Sequence, residues 1–436
     1  MSPQAGRIVR LAIEKIVYPG RRLARKDGRV FFADEGLPGE SIEAEILAER
    51  SSYVEARTVS ILEASPRRIA PRCSHFLACG SYQTMPYPDQ LEVKKAQARE
   101  LFAKVLPPDA GTVEIVPSPR EWRYRNKIRF SLIGSGAGAH LAYHLPGSRE
   151  EFVEADEGCF LASETASEIA ATVLSAVRKT GTPHLAEVEI RESVSEGTRI
   201  VNLFWRTGRE ETAVREISEA LRSRFSPAGL VSWIPRPKGK WKAFVEWGSE
   251  EYLERTADTV FEIGAGSFFQ VNLAILPMVI ESVAAAAGLT GRETAADVYG
   301  GVGTFGLTLA KKARRITVVE SDPDNVRRLE ANIIRNAAAN VEVRPGQSER
   351  WMEDLADRGL DVAVFDPPRK GLDPRVIQAL LEHPIGKIIY LSCNPSTLAR
   401  DIGLLKTRYA LHSLRLFDFF PQTPHIETLA SLHWEK

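Results

Sequence analysis

The sequence predicts an α/β protein whose carboxyl-terminal part is a doubly wound parallel sheet, preceded by a small closed β-barrel and a central α+β region. Three observations point there. From residue 263 onward, apolar strands alternate with amphipathic helices, the pattern of a sheet covered on both faces. Residues 6 to about 65 instead carry short strands divided by Gly and Pro turns, with no helical period. The stretch from about 115 to 262 mixes strand-like runs with turns. The predicted divisions are 1–66, 67–262 and 263–436.

The barrel strands read "GRIVRLAIEKIV", "GRVFFADE", "ESIEAEILAER" and "YVEARTVSILEA". Between the first two lies "YPGRRLARKDGR", which reads as a loop holding Arg21, Arg22, Arg25, Lys26 and Arg29. It is either a solvated turn or a grip on nucleic-acid backbone. "ASPRRIAPRCSHFLACG" follows as a linker, and "PDQLEVKKAQARELFAKVL" as a helix. In the central region, "REWRYRNKIRF" and "WIPRPKGKWKAFVEW" interleave Arg and Lys with Trp and Tyr. That pattern suits stacking on unpaired bases with phosphate contact, or an amphipathic strand with a solvated face. Two such segments plus the basic loop tip the reading toward nucleic acid.

In the last region, "TAADVYG" precedes "GVGTFGLTLAKKA" and "RITVVE" precedes "DPDNVRRLEANIIRNAA". "VEVRPG", "LDVAVFD", "KIIYLSC", "LHSLRLFDFF" and "ETLASLHW" supply the remaining strands. Only "PQTPHI" separates the last two, too short for a crossover, so they must pair antiparallel.

Whole-chain properties narrow the class. Lys and Arg balance Asp and Glu at 57 each, so a polyanion must be held by local patches and not by a global field. Four irregularly spaced cysteines make no disulfide framework, which suggests a reducing compartment. "MSPQAGRIVR" lacks the apolar core of a signal peptide, and no apolar run is long enough to span a bilayer. The expectation is a cytoplasmic protein with no membrane partner.

The chemistry gathers at the strand ends. "GVGTFG" (301–306) is a G-x-G-x-x-G between strand and helix, and it fits a nicotinamide oxidoreductase as well as a transferase with a nucleoside cofactor. Glu320 ends the next strand, where a carboxylate can accept from both ribose hydroxyls. Asp366 precedes two prolines that stiffen its loop and remove two backbone donors. Cys393 follows "KIIYLS"; Asn394-Pro395 stops the strand, and "STLARD" starts a helix with Ser396 or Thr397 as cap. The bland alternative for Cys393 is a small hydrophobe closing a core strand. The loop "FPQTPHIET" leaves its strand at the same edge and brings Glu427 there. His425 is the only edge histidine and reads as a loop residue; no His–Asp pair offers itself for hydride transfer.

A thiol and a carboxylate facing a nucleoside cofactor solve one problem well, the methylation of carbon 5 of a pyrimidine. That carbon becomes nucleophilic only after a thiolate adds at carbon 6. A base must then remove the carbon-5 proton before the thiolate can leave.

"DVYGGVGTFG", "VFDPPRKGLDP", "YLSCNPSTLARD", "FPQTPHIET" and "GSFFQVN" together resemble the RNA 5-methyluridine methyltransferase family, which acts on uridines of ribosomal or transfer RNA. The resemblance implies a Rossmann-like class I methyltransferase domain at the carboxyl terminus. The amino-terminal barrel looks like an OB-like TRAM domain, which implies RNA binding, and "RYRNKIRF" is similar to the family's central domain. Carried over by position, it makes Cys393 the nucleophile and Glu427 the proton acceptor, and sets Gln270, Tyr299, Glu320 and Asp366 around S-adenosylmethionine. Thr304 stands where relatives often have Asn. Arg369 occupies the place where amino-group methylases of bases carry a stacking aromatic, which argues against N-methylation.

Members that modify ribosomal RNA often hold a 4Fe-4S cluster on four cysteines. This chain supplies Cys73, Cys79 and Cys159, with Tyr82 where the third ligand of a C-x-x-C would fall. Three thiolates hold a cluster only with a foreign ligand. A cluster is therefore not expected and no metal ligands are assigned; His75 could supply the foreign ligand, but an ordinary loop histidine is the preferred reading. The expected protein is a monomeric RNA uridine-C5 methyltransferase, with 23S ribosomal RNA preferred to tRNA on the strength of the barrel and the cysteine remnants. From another class, a nicotinamide-dependent oxidoreductase remains the alternative.

Overall fold

Alternation builds the barrel. In strand Ile8–Val17, Val9, Leu11 and Ile13 point inward at a period of two, and a bulge after Ile13 bends the strand. That strand pairs with both Arg21–Lys26 and Ser41–Glu49, and Arg29–Ala33 pairs in parallel with Val54–Glu63 to close the ring. The structure, a computed structural model, describes residues 6–435 apart from 107–112, 149, 226 and 358. Residues 1–5 of the predicted first domain and Lys436 of the last lie outside the described residues.

The basic "loop" is a correction. Residues 21–26 form a strand, and Arg22 is turned inward with 1% exposure. Its guanidinium donates to the carbonyls of Gly20, Gly36 (3.2 Å) and Ser81 (2.7 Å). Arg25 pairs with Glu14, Arg21 with Glu55 at 3.4 Å and Arg29 with Glu49 at 3.1 Å, while Lys26 donates to the carbonyl of Arg10. A buried guanidinium needs acceptors wherever the fold provides them.

The central sheet has seven strands in the order Lys240–Gly248, Gly229–Arg236, Arg199–Trp205, Leu185–Glu192, Lys127–Ile133, His140–His144 and Phe152–Glu154. Helix Glu164–Thr180 covers it with Ile169, Val173 and Val177. Ser163 caps the helix by accepting from Ala166 N, and Gly181 ends it in the left-handed region.

The carboxyl-terminal sheet runs Val341–Pro345, Arg315–Glu320, Thr294–Val298, Val362–Phe365, Lys387–Ser392, Glu427–Trp434, Tyr409–Phe417 and Glu114–Val116. Its strands are parallel except Glu427–Trp434, which lies antiparallel between two neighbours. The last strand corrects the predicted division at 67–262. Glu114–Val116 pairs in parallel with Arg415–Phe417, and Ala98, Phe102 and Val113 share a core with Leu398, Ile402 and Leu416. A three-residue strand is too short to show a period. The hairpin Glu251–Thr256 and Thr259–Gly264 likewise buries Phe261 and Ile263 with Val283 and Phe305, so this body starts at the hairpin and not at 263. No helix among the described residues is long and apolar enough to cross a membrane.

Candidate active site

Parallel strands deliver their carboxyl ends to one edge, and the loops leaving that edge hold the candidate residues. Tyr299 follows Thr294–Val298, Glu320 ends Arg315–Glu320, Asp366 follows Val362–Phe365 and Cys393 follows Lys387–Ser392. Glu427 opens the antiparallel strand, paired with Phe417 on one side. On the other side Ser392 pairs with Thr428, so one further step along the ladder puts Cys393 opposite Glu427.

Close packing shapes the glycine loop. A Cβ on Gly300 would stand 2.3 Å from Val318 Cγ1, and one on Gly306 2.6 Å from Val318 Cγ2. With no side chain there, Gly306 N approaches Asp297 Oδ2 and donates to it at 2.7 Å. Glu320 accepts from Gly301 N at 2.8 Å and from the amides of Ser321 and Asp322 at 2.7 Å each. Above Gly301, no described atom lies within 4 Å of a notional Cβ, so this stretch of backbone faces open space. Tyr299 holds φ = +69°, an unusual state for a bulky residue, and its hydroxyl accepts from Ser348 Oγ at 2.7 Å. Its hydroxyl is thereby committed to the flank of the loop. Thr304 is buried in the first helical turn.

Two other loops are tied to this edge. Asn394 caps helix Pro395–Leu405, correcting the expectation of Ser396 or Thr397, because Pro395 is preset for the first helical position. The Asn394 Nδ2 group donates to Arg369 O at 2.9 Å, joining the cysteine loop to the Asp-Pro-Pro loop. In "GSFFQVN", Gln270 Nε2 donates to Asp366 Oδ2 at 3.2 Å, and Asn272 Nδ2 donates to Phe419 O at 2.9 Å.

Electrostatically the edge holds an excess of acid. Burial, reinforced by Glu320, raises Asp297 to about 7. Asp366 also rises to about 7 through burial and the nearby Asp297. Burial and Asp366 hold Glu427 well above the usual carboxylate range, with Arg369 opposing. Cys393 is pushed up to about 11 by burial and by Glu427; the nearby Arg369 guanidinium pulls it down. Glu427 Oε1 and Asp297 Oδ1 are buried without a hydrogen-bond partner among the described residues. Carboxylates held up by burial and by one another would be favoured in their charged form by a cation bound at this edge. His425 packs edge-on against Phe420, and burial with Arg369 nearby lowers it to about 3, so it stays neutral.

The family model described as tRNA (Uracil-5-)-methyltransferase matches residues 86–434. The chain belongs to this family. An uncharacterised RNA methyltransferase of Halalkalibacterium halodurans is 31% identical over 98% of this chain and 96% of its own length. One of Nitratidesulfovibrio vulgaris is 30% identical, again over 98% of this chain and 96% of the relative. The crystal structure of Pyrococcus abyssi tRNA (uracil-54, C5)-methyltransferase with S-adenosyl-L-homocysteine superposes with a TM-score of 0.76 and 25% identity, covering 97% of this chain and all of that one. The chain is thus an RNA methyltransferase that uses S-adenosylmethionine and takes RNA as its partner. The acid-rich edge fits that donor, whose sulfonium and ammonium groups are cations, and the open backbone at Gly301 leaves room for its nucleoside.

Sequence reasoning about this methyltransferase missed three groups. Asp297 was visible as the lone acid of an apolar strand, and it adds to the burial that raises Asp366. Arg369 stands out in the sequence only for not being aromatic, yet it is the cation acting on both Cys393 and Glu427. Tyr18 comes from the barrel, packs on the core beneath this sheet and is raised to about 12 by burial and by Cys393. No local pattern marks a residue that a separate domain contributes.

Proposed function

We propose that this enzyme methylates carbon 5 of a uridine through a covalent Cys393 adduct, with ribosomal RNA, most naturally 23S, as substrate. The supporting observation is the register that sets Cys393 opposite Glu427 at the cofactor edge. Gln270, Tyr299, Glu320 and Asp366 would hold S-adenosylmethionine, with Glu320 suited to the ribose hydroxyls. When bound, the cofactor supplies an electrophilic methyl group. The Cys393 thiolate, favoured by Arg369, adds to carbon 6 of the uracil, and the electron pair of the 5,6 double bond makes carbon 5 nucleophilic. After methylation, carbon 5 carries a proton and the new methyl. The Glu427 carboxylate takes that proton, the double bond re-forms and Cys393 leaves as thiolate.

The RNA would lie across the barrel and the central sheet, where Trp241 (47% exposed) offers a ring for stacking on the strand that carries Lys240 and Lys242, and Phe268 (57% exposed) offers another on the loop after Thr259–Gly264. Other rings of the interleaved segments are half-buried and already have partners in the protein: Trp233 donates to Asn202 Oδ1, and Trp122 lies under Arg72. We place the enzyme in a reducing cytoplasm as a monomer; all four cysteines are free. Ribosomal RNA is preferred for the closed barrel with its three linked-domain cysteines. Transfer RNA is the second reading, favoured by the name of the Pyrococcus abyssi neighbour, which covers the same length. Mapping 5-methyluridine in both RNAs from a strain lacking the gene decides between them. Loss from tRNA alone rejects the ribosomal substrate, and loss from neither rejects the activity.

A further inference from the structure

Away from the methyl-transfer edge, the linker and the central domain meet at a knot of sulfur and imidazole. Cys73, His75 and Cys79 present ligating atoms that all lie within 4.8 Å of one another. His75 Nδ1 stands 3.2 Å from Cys79 Sγ and 3.7 Å from Cys73 Sγ. Cys159, from the turn after Phe152–Glu154, is buried on the Cys79 side of this group, just outside the 4.8 Å circle of the other three. Cys73, Cys159 and His75 are buried, at 4%, 3% and 1% exposure, so the donors meet in a dry place. Of the two sequence readings of His75, loop histidine or foreign ligand, the geometry favours the second, because the chain turns back through the short helix Phe76–Cys79 and folds the ring inward.

The 4Fe-4S cluster implied by the family resemblance does not fit these residues. Tyr82, at the place of the missing cysteine, is buried against Arg22, and its hydroxyl accepts from Gln97 Nε2 at 2.9 Å. It is committed to the barrel side and offers no thiolate. A cubane must also stand between its ligands, whereas Cys73, His75 and Cys79 crowd around one point. They match one tetrahedral ion, whose bonds of about 2.0–2.3 Å set neighbouring donors roughly 3.3–3.8 Å apart.

The surroundings are those of a ligand set. His75 Nε2 faces Gly158 O at 2.8 Å; with Nε2–H donating there, the Nδ1 lone pair is left aimed at the sulfurs. Gln83 Nε2 donates to Cys73 Sγ at 3.3 Å. Three thiolates and a divalent ion leave one negative charge, and the Arg125 guanidinium lies near Cys159 to oppose it.

We propose that Cys73, His75, Cys79 and Cys159 bind a single zinc(II) ion in place of a cluster, as a structural clasp between linker and central sheet. A closed set of three sulfurs and one imidazole is a structural zinc site, and soft thiolates select it over harder ions. The clasp fixes the linker that carries Ser81 and Tyr82 under Arg22, and so sets the barrel's attachment.

The full chain, purified without oxygen or chelator, should carry about one zinc per molecule, with neither iron nor acid-labile sulfide nor brown colour. Cobalt(II) exchanged for the zinc should show thiolate-to-cobalt charge transfer and tetrahedral d–d bands. His75→Cys should keep the cobalt and shift those bands toward an all-sulfur site, whereas His75→Ala and Cys159→Ser should each weaken zinc binding at least tenfold. Near-stoichiometric iron with labile sulfide would overturn the proposal. So would a wild-type chain that takes up neither added zinc nor cobalt, or a His75→Ala chain that binds zinc as tightly as wild type. All of these readouts are independent of methyl transfer.

Discussion

The ammonium of Lys94 and the carboxylate of Asp418 form an ion pair with no solvent exposure on either side chain. Lys94 lies in the helix Tyr87–Phe102 and also donates to Phe420 O at 3.1 Å, so this helix clamps the start of the loop that carries Glu427. Lys94→Met would leave a buried carboxylate unpaired and should cost about 3–5 kcal/mol in urea unfolding. Adding Asp418→Leu should recover much of that loss, because the desolvated charge goes with it. A single variant as stable as wild type would remove the clamp.

Cys393→Ala should retain binding of S-adenosylhomocysteine while methyl transfer falls roughly a thousandfold or more, since carbon 5 loses its route to activation. Glu427→Gln should instead stall after methylation. Its RNA adduct should survive denaturing electrophoresis and vanish in the double variant with Cys393→Ala. Full turnover by Glu427→Gln without an adduct would assign the carbon-5 proton to another base.

The pH profile tests Arg369. Cys393 sits near 11 because burial and Glu427 favour the neutral thiol, and Arg369 opposes them. Activity at limiting RNA should therefore rise with pH as thiolate forms. Arg369→Gln should move that limb to higher pH, with activity at neutral pH falling about tenfold for each pH unit the limb moves. The deficit should shrink as pH rises. A constant deficit at every pH would mean that Arg369 serves RNA binding and leaves the thiol untouched.

Arg22 should behave as a structural cation. Arg22→Met strands three carbonyls where the barrel meets the linker, and the stability loss should be about 1–3 kcal/mol for each left dry. The slope of log RNA affinity against log salt should not change, because Arg22 cannot reach a phosphate. A slope flattened by about 0.7–0.9 would restore Arg22 to the RNA interface.

Trp241 tests the stacking surface. Its ring meets Phe204 edge-on at 5.5 Å but keeps nearly half its area in solvent. Trp241→Ala should weaken RNA binding by about 1–3 kcal/mol with little change in thermal stability. Unaltered affinity would place the RNA elsewhere.

Much of the reactive edge was legible in the chain because strand ends and turns are local features. An apolar run followed by Asp-Pro-Pro or Cys-Asn-Pro marks where a strand stops, and parallel winding sends every such stop to one side. A six-residue connection forces an antiparallel pair, and with it the approach of Glu427 to Cys393. Acceptors for a buried cation lie elsewhere in the chain, and no periodicity reveals them. Arg22 looked like part of a phosphate-binding loop until the carbonyls of Gly36 and Ser81 closed around it. Glu114–Val116 carried too few residues to show that it belongs to a sheet assembled mostly from residues beyond 290. His75 looked like a loop residue until folding brought Gly158 and two sulfurs to its ring. Tertiary structure decided these cases because burial and partner geometry are properties of the assembled space, whereas strand, turn and edge positions are encoded in short stretches of chain.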